Sequence, residues 1–167
     1  MSLFRDIVLE EKVVISSKEL YAHESFDDII VKKLKERIEG KCNHEGYVRH
    51  GSIEMIARSA GSHEHGRFTG NVVFHVQFSC KVCRPFKGQS LSVKVASINS
   101  MGIHGYVEDV VGDDTKVTYI RVVIPRALQK DHPVYTSTKE GDTVSCKILG
   151  IKFQPYQEYL LCVAEIA

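Results

Sequence analysis

The residues that could do chemistry in this chain are few and scattered. Cys80-Lys81-Val82-Cys83 has the spacing of a zinc knuckle, and Cys42, His44, His63 and His65 could complete a tetrahedral set. A cysteine pair three apart on an extended strand points its thiols to opposite faces, and no second Cys-x-x-Cys exists, so the expected state is buried, reduced thiols with no metal and no cofactor. The 8 histidines and many carboxylates fall into no Gly-rich phosphate loop, nucleophile elbow or His-Glu-x-x-His motif. Asp113-Asp114, beside Gly112, reads as a hairpin turn in which Asp bonds its local backbone. The chain is therefore expected to have no active site. A different chemistry is open to the aromatic and basic residues His104, Tyr106, Tyr119, Arg121, Lys147, Lys152 and Phe153, whose types suit stacking on bases and steering a phosphate backbone. Equally, Tyr106 and Phe153 could fill a core while the charges are merely solvated. The residues alone do not separate the two readings.

The elements that must position these residues change character along the chain. Residues 3–16 are rich in β-branched side chains and read as one bent strand or two short ones. Ser25, followed three residues later by Asp28, marks a helix start; Phe26, Ile30, Leu34 and Ile38 form an apolar stripe, and Gly40 supplies the stop. This is expected to be the only long helix. Strands follow over 41–50, 52–60 and 67–84, the last with Val72, Phe74, Val76 and Phe78 alternating with Val73, His75, Gln77 and Ser79. Arg84-Pro85-Phe86-Lys87-Gly88 then interrupts the pattern with a Pro that cannot donate to a ladder and a Gly that permits a turn. Five β-rich segments come after it, at 90–99, 101–110, 116–124, 143–153 and 158–166, with an irregular insertion at 125–141. The expected fold is α+β, an N-terminal α+β domain over 1–83 followed over 84–167 by a five-stranded Greek-key β-barrel of the OB type.

Composition sets bounds on function. Net charge is +1, with 12 basic against 12 acidic residues up to Cys83 and 10 against 9 beyond it, so nucleic-acid binding must come from a local patch and from stacking. No apolar run approaches the roughly 20 residues of a membrane span, and charges interrupt the first dozen residues, so an intracellular protein with no membrane role is expected.

Several short motifs resemble, in order, those of the stalk subunits of multisubunit DNA-dependent RNA polymerases, the family of the eukaryotic subunit seven and its archaeal counterpart. Arg84-Pro85-Phe86-Lys87-Gly88-Gln89 is similar to the Pro-Phe-Lys-Gly signature joining the two halves of those subunits, and Met101-Gly102-Ile103 follows it. Glu39-Gly40 ending the helix, Cys42-x-x-x-Gly46-Tyr47-Val48, Ile124-Pro125 and the run from Gly141 to Gly150 also occur in family order. The resemblance implies a non-catalytic subunit whose N-terminal tip domain docks on the polymerase core subunits near the clamp. Its OB barrel would stand near nascent single-stranded RNA, and a second, helical stalk subunit would be its partner. Pro85, Phe86, Lys87 and Gly88 would build the interdomain elbow, with Phe86 a buried aromatic packing the halves together. Two departures are visible: Met101 and His104 stand around Gly102 where related barrels place aromatics, and the chain ends at Ala167 without an acidic tail. Such trimming would suit a virus-encoded copy acting in a viral factory or virion; a cellular eukaryotic copy would be nuclear. The rival expectations are a free-standing OB-fold RNA-binding factor of translation or RNA decay and, more weakly, a zinc-dependent regulatory protein.

Overall fold

Strand β1, Phe4–Ile15, is a single twelve-residue strand that pairs antiparallel along its whole length with β6, Val72–Cys83. The structure, a computed structural model, describes residues 3–21, 25–129 and 131–167. Between these strands lie the short helix α1, Ser17–Leu20, and the long helix α2, Phe26–Ile38. Helix α1 escaped the sequence reading although Ser16 and Glu19 form a full capping box: the Ser16 hydroxyl accepts from the Glu19 N–H, and the Glu19 carboxylate accepts from the Ser16 N–H at 2.8 Å. That carboxyl is held down near pH 2, first by a hydrogen bond from Lys33 and then by the Ser16 backbone. Helix α2 is capped by Ser25, whose hydroxyl accepts from the Asp28 N–H at 3.2 Å. Its buried residues are Ile29, Ile30, Leu34 and Ile38; Phe26 stays half-exposed and leans on Phe74 with ring centroids 5.9 Å apart.

The free edge of β6 is shared by three short strands. The hairpin β2, Cys42–Asn43, and β3, Gly46–Val48, pairs at its C-terminal end; β4, Glu54–Arg58, and β5, Ser62–His63, pair further back. Helix α2 covers one face of this sheet, where Phe74, Val76, Phe78, Cys80 and Val82 alternate inward along β6.

Strands β7 (Ser90–Ile98), β8 (Gly102–Val111), β9 (Thr115–Pro125), β10 (Thr143–Lys152) and β11 (Leu160–Ile166) close a barrel in the order β10-β11-β9-β8-β7. Strand β11 runs parallel to β9 while every other pair is antiparallel, which is the OB arrangement. The insertion after β9 holds two short helices, α3 (Arg126–Gln129) and α4 (Pro133–Ser137). The barrel is filled by alternate residues such as Val93, Ile103, Ile120, Val122, Cys146, Ile148 and Cys162.

The barrel core does not stop at the barrel. Cys42, Tyr47 and Cys83, all from the first sheet, belong to the same buried cluster. Tyr47 is 1% exposed, and its ring lies 5.7 Å from that of Tyr119, which in turn lies 5.1 Å from Phe4. Arg49 spans the seam: its Nε and Nη2 donate to the two Asp109 oxygens at 2.6 and 2.9 Å, and its guanidinium lies 5.1 Å from the Phe4 ring centroid. Main-chain bonds join the two units as well, from the Cys42 N–H to the Gln157 carbonyl at 2.7 Å and from the Tyr156 N–H to the Cys42 carbonyl at 2.8 Å. Gly46 is needed here, since at φ +130° a Cβ would stand 2.3 Å from the Cys83 carbonyl oxygen.

The expectation of a buried Phe86 is corrected. Its ring is 65% exposed. The segment is instead fastened through its backbone: the Gly88 N–H donates to the Ile148 carbonyl at 2.7 Å, the Ile148 N–H to the Gln89 carbonyl at 2.9 Å, and the Phe86 N–H to the Gln89 side chain at 3.1 Å. These bonds prolong the β7–β10 ladder up to the turn, so the ring has no packing to do. Phe86→Ala is therefore expected to change stability by no more than about 0.5 kcal/mol, whereas Tyr47→Ala should cost about 4 kcal/mol. Chemical denaturation of the two variants checks this, and equal losses would contradict it.

Candidate nucleic-acid interface

Cross-strand register places the outward side chains of the barrel in two rows. In one, Lys94 of β7, Tyr106 of β8, Arg121 of β9, Leu161 of β11 and Lys152 of β10 stand opposite one another in turn. In the next, Ser97, His104, Val123, Val163 and Gly150 do the same. Four inter-strand steps carry the first row across roughly 20 Å of surface. An open groove of about 640 Å³ lies over these rows, lined by His104, Tyr106, Arg121, Val123, Tyr159 and Leu161. Its floor is apolar, its walls aromatic and cationic. The Arg121 guanidinium stacks on the Tyr159 ring, 4.0 Å from the centroid. His104 Nε2 is buried and has no hydrogen-bond partner among the described residues.

Of the residues chosen from sequence, the groove brings together His104, Tyr106 and Arg121, and Lys152 lies at the end of their row. Lys147 is five residues further back along β10, opposite Ser90 and Glu165, roughly 15 Å from Lys152. Phe153 is half-buried and packs against the barrel core. Tyr119 is corrected outright: it is 4% exposed and unavailable to a ligand. The β8–β9 register shifts between Val107 and Glu108, leaving Tyr119 as the extra residue of a bulge that aims it at Phe4 and Tyr47. Burial pushes its hydroxyl well above the ordinary phenol range, and pushes that of Tyr47 up to about 12. Sequence reasoning missed Tyr159. The signal was an aromatic just ahead of the last apolar run, on a segment that the strand order makes a neighbour of β9.

The two cysteines of the Cys-x-x-Cys pair go into different cores, Cys80 under α2 and Cys83 into the seam. Among the described residues, no three His, Cys, Asp or Glu side chains come together to hold a metal ion. Burial is the first cause raising every thiol, Cys80 and Cys146 to about 11 and Cys42, Cys83 and Cys162 to about 12.

The fold and groove define a class of two-part proteins in which an OB barrel with an apolar, aromatic-walled and cation-flanked outer groove is fused through a shared core to an α+β sheet. No protein-family model matches the chain. It is 29% identical over 175 aligned positions to DNA-directed RNA polymerase II subunit RPB7 of Glycine max, covering 98% of this chain and 92% of that protein. It is 32% identical over 102 positions to DNA-directed RNA polymerase II subunit 7 of Arabidopsis thaliana, covering 60% of this chain and 54% of that one. Both relatives support the resemblance to RNA polymerase stalk subunits that the order of the short motifs carries, the first of them over nearly the whole chain.

The raised thiols give a test of the packing. Because each folded pKa lies above the ordinary thiol value of 9.0, their contribution to stability is full below pH 9 and is lost as pH rises towards 11 to 12. The native protein at pH 8 should leave all five thiols unmodified by a disulfide reagent over minutes, release them on denaturation, and melt progressively lower above pH 9. Rapid labelling of any one in the native state would contradict the burial described.

Proposed function

We propose that the chain is a non-catalytic stalk subunit of a DNA-directed RNA polymerase, with a docking unit over 1–83 and an RNA-contacting unit over 84–167. The observation that carries this reading is the groove across β8, β9 and β11, joined to full-length likeness to polymerase II subunit seven. In this reading the first sheet attaches to the core subunits near the clamp, and the barrel meets nascent single-stranded RNA. The attachment end is the β5–β6 loop, where the Phe68 ring is fully exposed. Eleven residue steps of β6 separate that end from Cys83 at the seam, a span of roughly 36 Å. An exposed aromatic there is an anchor for a pocket on the core, while the groove lies on the other unit. A helical second stalk subunit completes the partners the family implies, and the site of action is the nucleus of a eukaryotic cell. No helix among the described residues is long and apolar enough to cross a membrane.

Electrostatics set the strength of the contact. Lys94, Arg121 and Lys152 offer three cations to a strand lying across the first row. Neutralising up to three phosphates of a single strand gives a log–log salt slope of roughly −2, so binding to the free subunit is weak, about micromolar or worse. On the assembled enzyme, proximity to the transcript raises its effective concentration to around millimolar.

Two outcomes are expected from reconstituted polymerase. Replacing Arg121 and Lys152 together by Ala should reduce transcript crosslinking to this subunit severalfold while the subunit still co-purifies with the core, and Lys147→Ala should have little effect. Conversely, Phe68→Ala should weaken co-purification and leave RNA binding by the free chain unchanged. Loss of the double variant from the polymerase would make the barrel a docking surface and overturn the assignment.

A further inference from the structure

We infer that the barrel groove is a site for one unstacked nucleobase, held by Tyr159 and Arg121, so that affinity depends on the base itself and not only on the strand's phosphates. This deepens the RNA-contact reading and rests on it. A purely electrostatic track would need cations in a row along an exposed surface. The groove is different: between Lys94 and Lys152, the ends of the first row, stand Tyr106, Arg121 and Leu161, and the second row adds Val123 and Val163 as apolar floor. Leu161 and Val123 line the cavity, and Val163 is 39% exposed. A phosphate gains nothing from such a floor, whereas the π-face of a base does.

The Arg121–Tyr159 pair fixes the position. Tyr159 immediately precedes β11, and its carbonyl lies 3.6 Å from the buried Cys42 thiol, which ties its backbone to the first sheet. The ring is thus carried on an anchored backbone. In the free protein the guanidinium occupies the ring face; a base entering the groove takes that face or stacks on the outer side of the guanidinium, and either way keeps the cation beside its own phosphate. His104 supplies the second contact. Its Nε2 has no partner among the described residues, and rotation of the imidazole about its soft terminal torsion would present that nitrogen to the edge of the base. Backbone steering then comes from Lys94 and Lys152 at the two ends, and recognition of the base from Tyr159, Arg121 and His104 between them.

The experiment uses the full chain and fluorescently labelled RNA hexamers read by polarisation, with a hexamer of the same length and charge made entirely of abasic units as the probe for phosphate-only binding. The base-bearing RNA should bind about tenfold more tightly than the abasic one. Tyr159→Ala should remove most of that difference while leaving the salt slope unchanged; Tyr159→Phe should keep it. His104→Ala should level the differences among homopolymers of A, C, G and U without abolishing binding. A thermal melt of each variant guards against unfolding, and Arg121→Gln, at an exposed position, provides an independent variant that should also weaken base-dependent binding. If base-bearing and abasic RNA bind equally, or if neither Tyr159→Ala nor Arg121→Gln changes their ratio, the one-base site is overturned while the wider RNA contact stands. If no RNA binds the wild-type chain even at millimolar concentration, the RNA-contact reading fails and this inference with it.

Discussion

The packing of Tyr47 and Phe4 against Tyr119, closed over by the Arg49–Asp109 ion pair, is the interaction on which the rest of the molecule depends. Each unit would expose apolar surface without the other: Tyr119 stands on the outside of the barrel, and Tyr47 and Cys83 lie at the end of the first sheet. Bringing them together buries the rings of Tyr47 and Tyr119 and covers part of Phe4, and the ion pair across the rim is bidentate, with the Asp109 side chain only 16% exposed. Burial of the aromatics supplies the larger share of the stabilisation, because the exposed side of Arg49 tempers the electrostatic gain. What the charge pair adds is direction, since two parallel hydrogen bonds tolerate little rotation of one unit against the other.

That constraint explains how a nearly neutral protein can have a defined functional polarity. With a net charge of +1 there is no field to orient it on a nucleic acid. In the proposed function orientation comes from docking at one end, and a docked end can direct the groove only if the connection is stiff. The segment Arg84–Gln89 would not provide stiffness by itself, being a turn with an exposed Phe86. Backbone bonds to β10 hold the turn, while the seam and the Cys42 contacts to Tyr156 and Gln157 hold the units. The three elements act in parallel at the same junction.

How much of this was legible in the sequence depends on the range of the interaction concerned. Helix α2, the long strands and the five barrel segments were readable because their apolar residues repeat with the period of the element, and the motif order carried the resemblance to polymerase stalk subunits that the plant relatives support. The short helices α1, α3 and α4 were not, since four or five residues hold too little periodicity; only the Ser16–Glu19 capping box could have disclosed the first. Of the residues lining the groove, His104, Tyr106 and Arg121 were picked out by residue type and by their place on the barrel strands. Tyr119 was misplaced because a single bulge residue breaks that alternation and turns the ring into the seam. Tyr159 was missed because its partner Arg121 comes from a strand 38 residues earlier, brought alongside only by the parallel β9–β11 pairing. Phe86 was assigned the burial that Tyr47 has, an error of the same kind: proximity to the junction in sequence is not proximity in space.

The distance between the two units is the most direct test of a rigid arm. Cysteines introduced at the exposed positions His75 on β6 and Lys152 on β10 can be spin-labelled selectively, because the five native thiols are buried. Pulsed electron spin resonance on this doubly labelled chain should give one narrow distance distribution, and the same labels on a Tyr47→Ala, Arg49→Ala background should give a broad one. A broad distribution with the seam residues intact would show that the barrel swings freely on its connection, and would contradict the seam as the element that fixes the molecule.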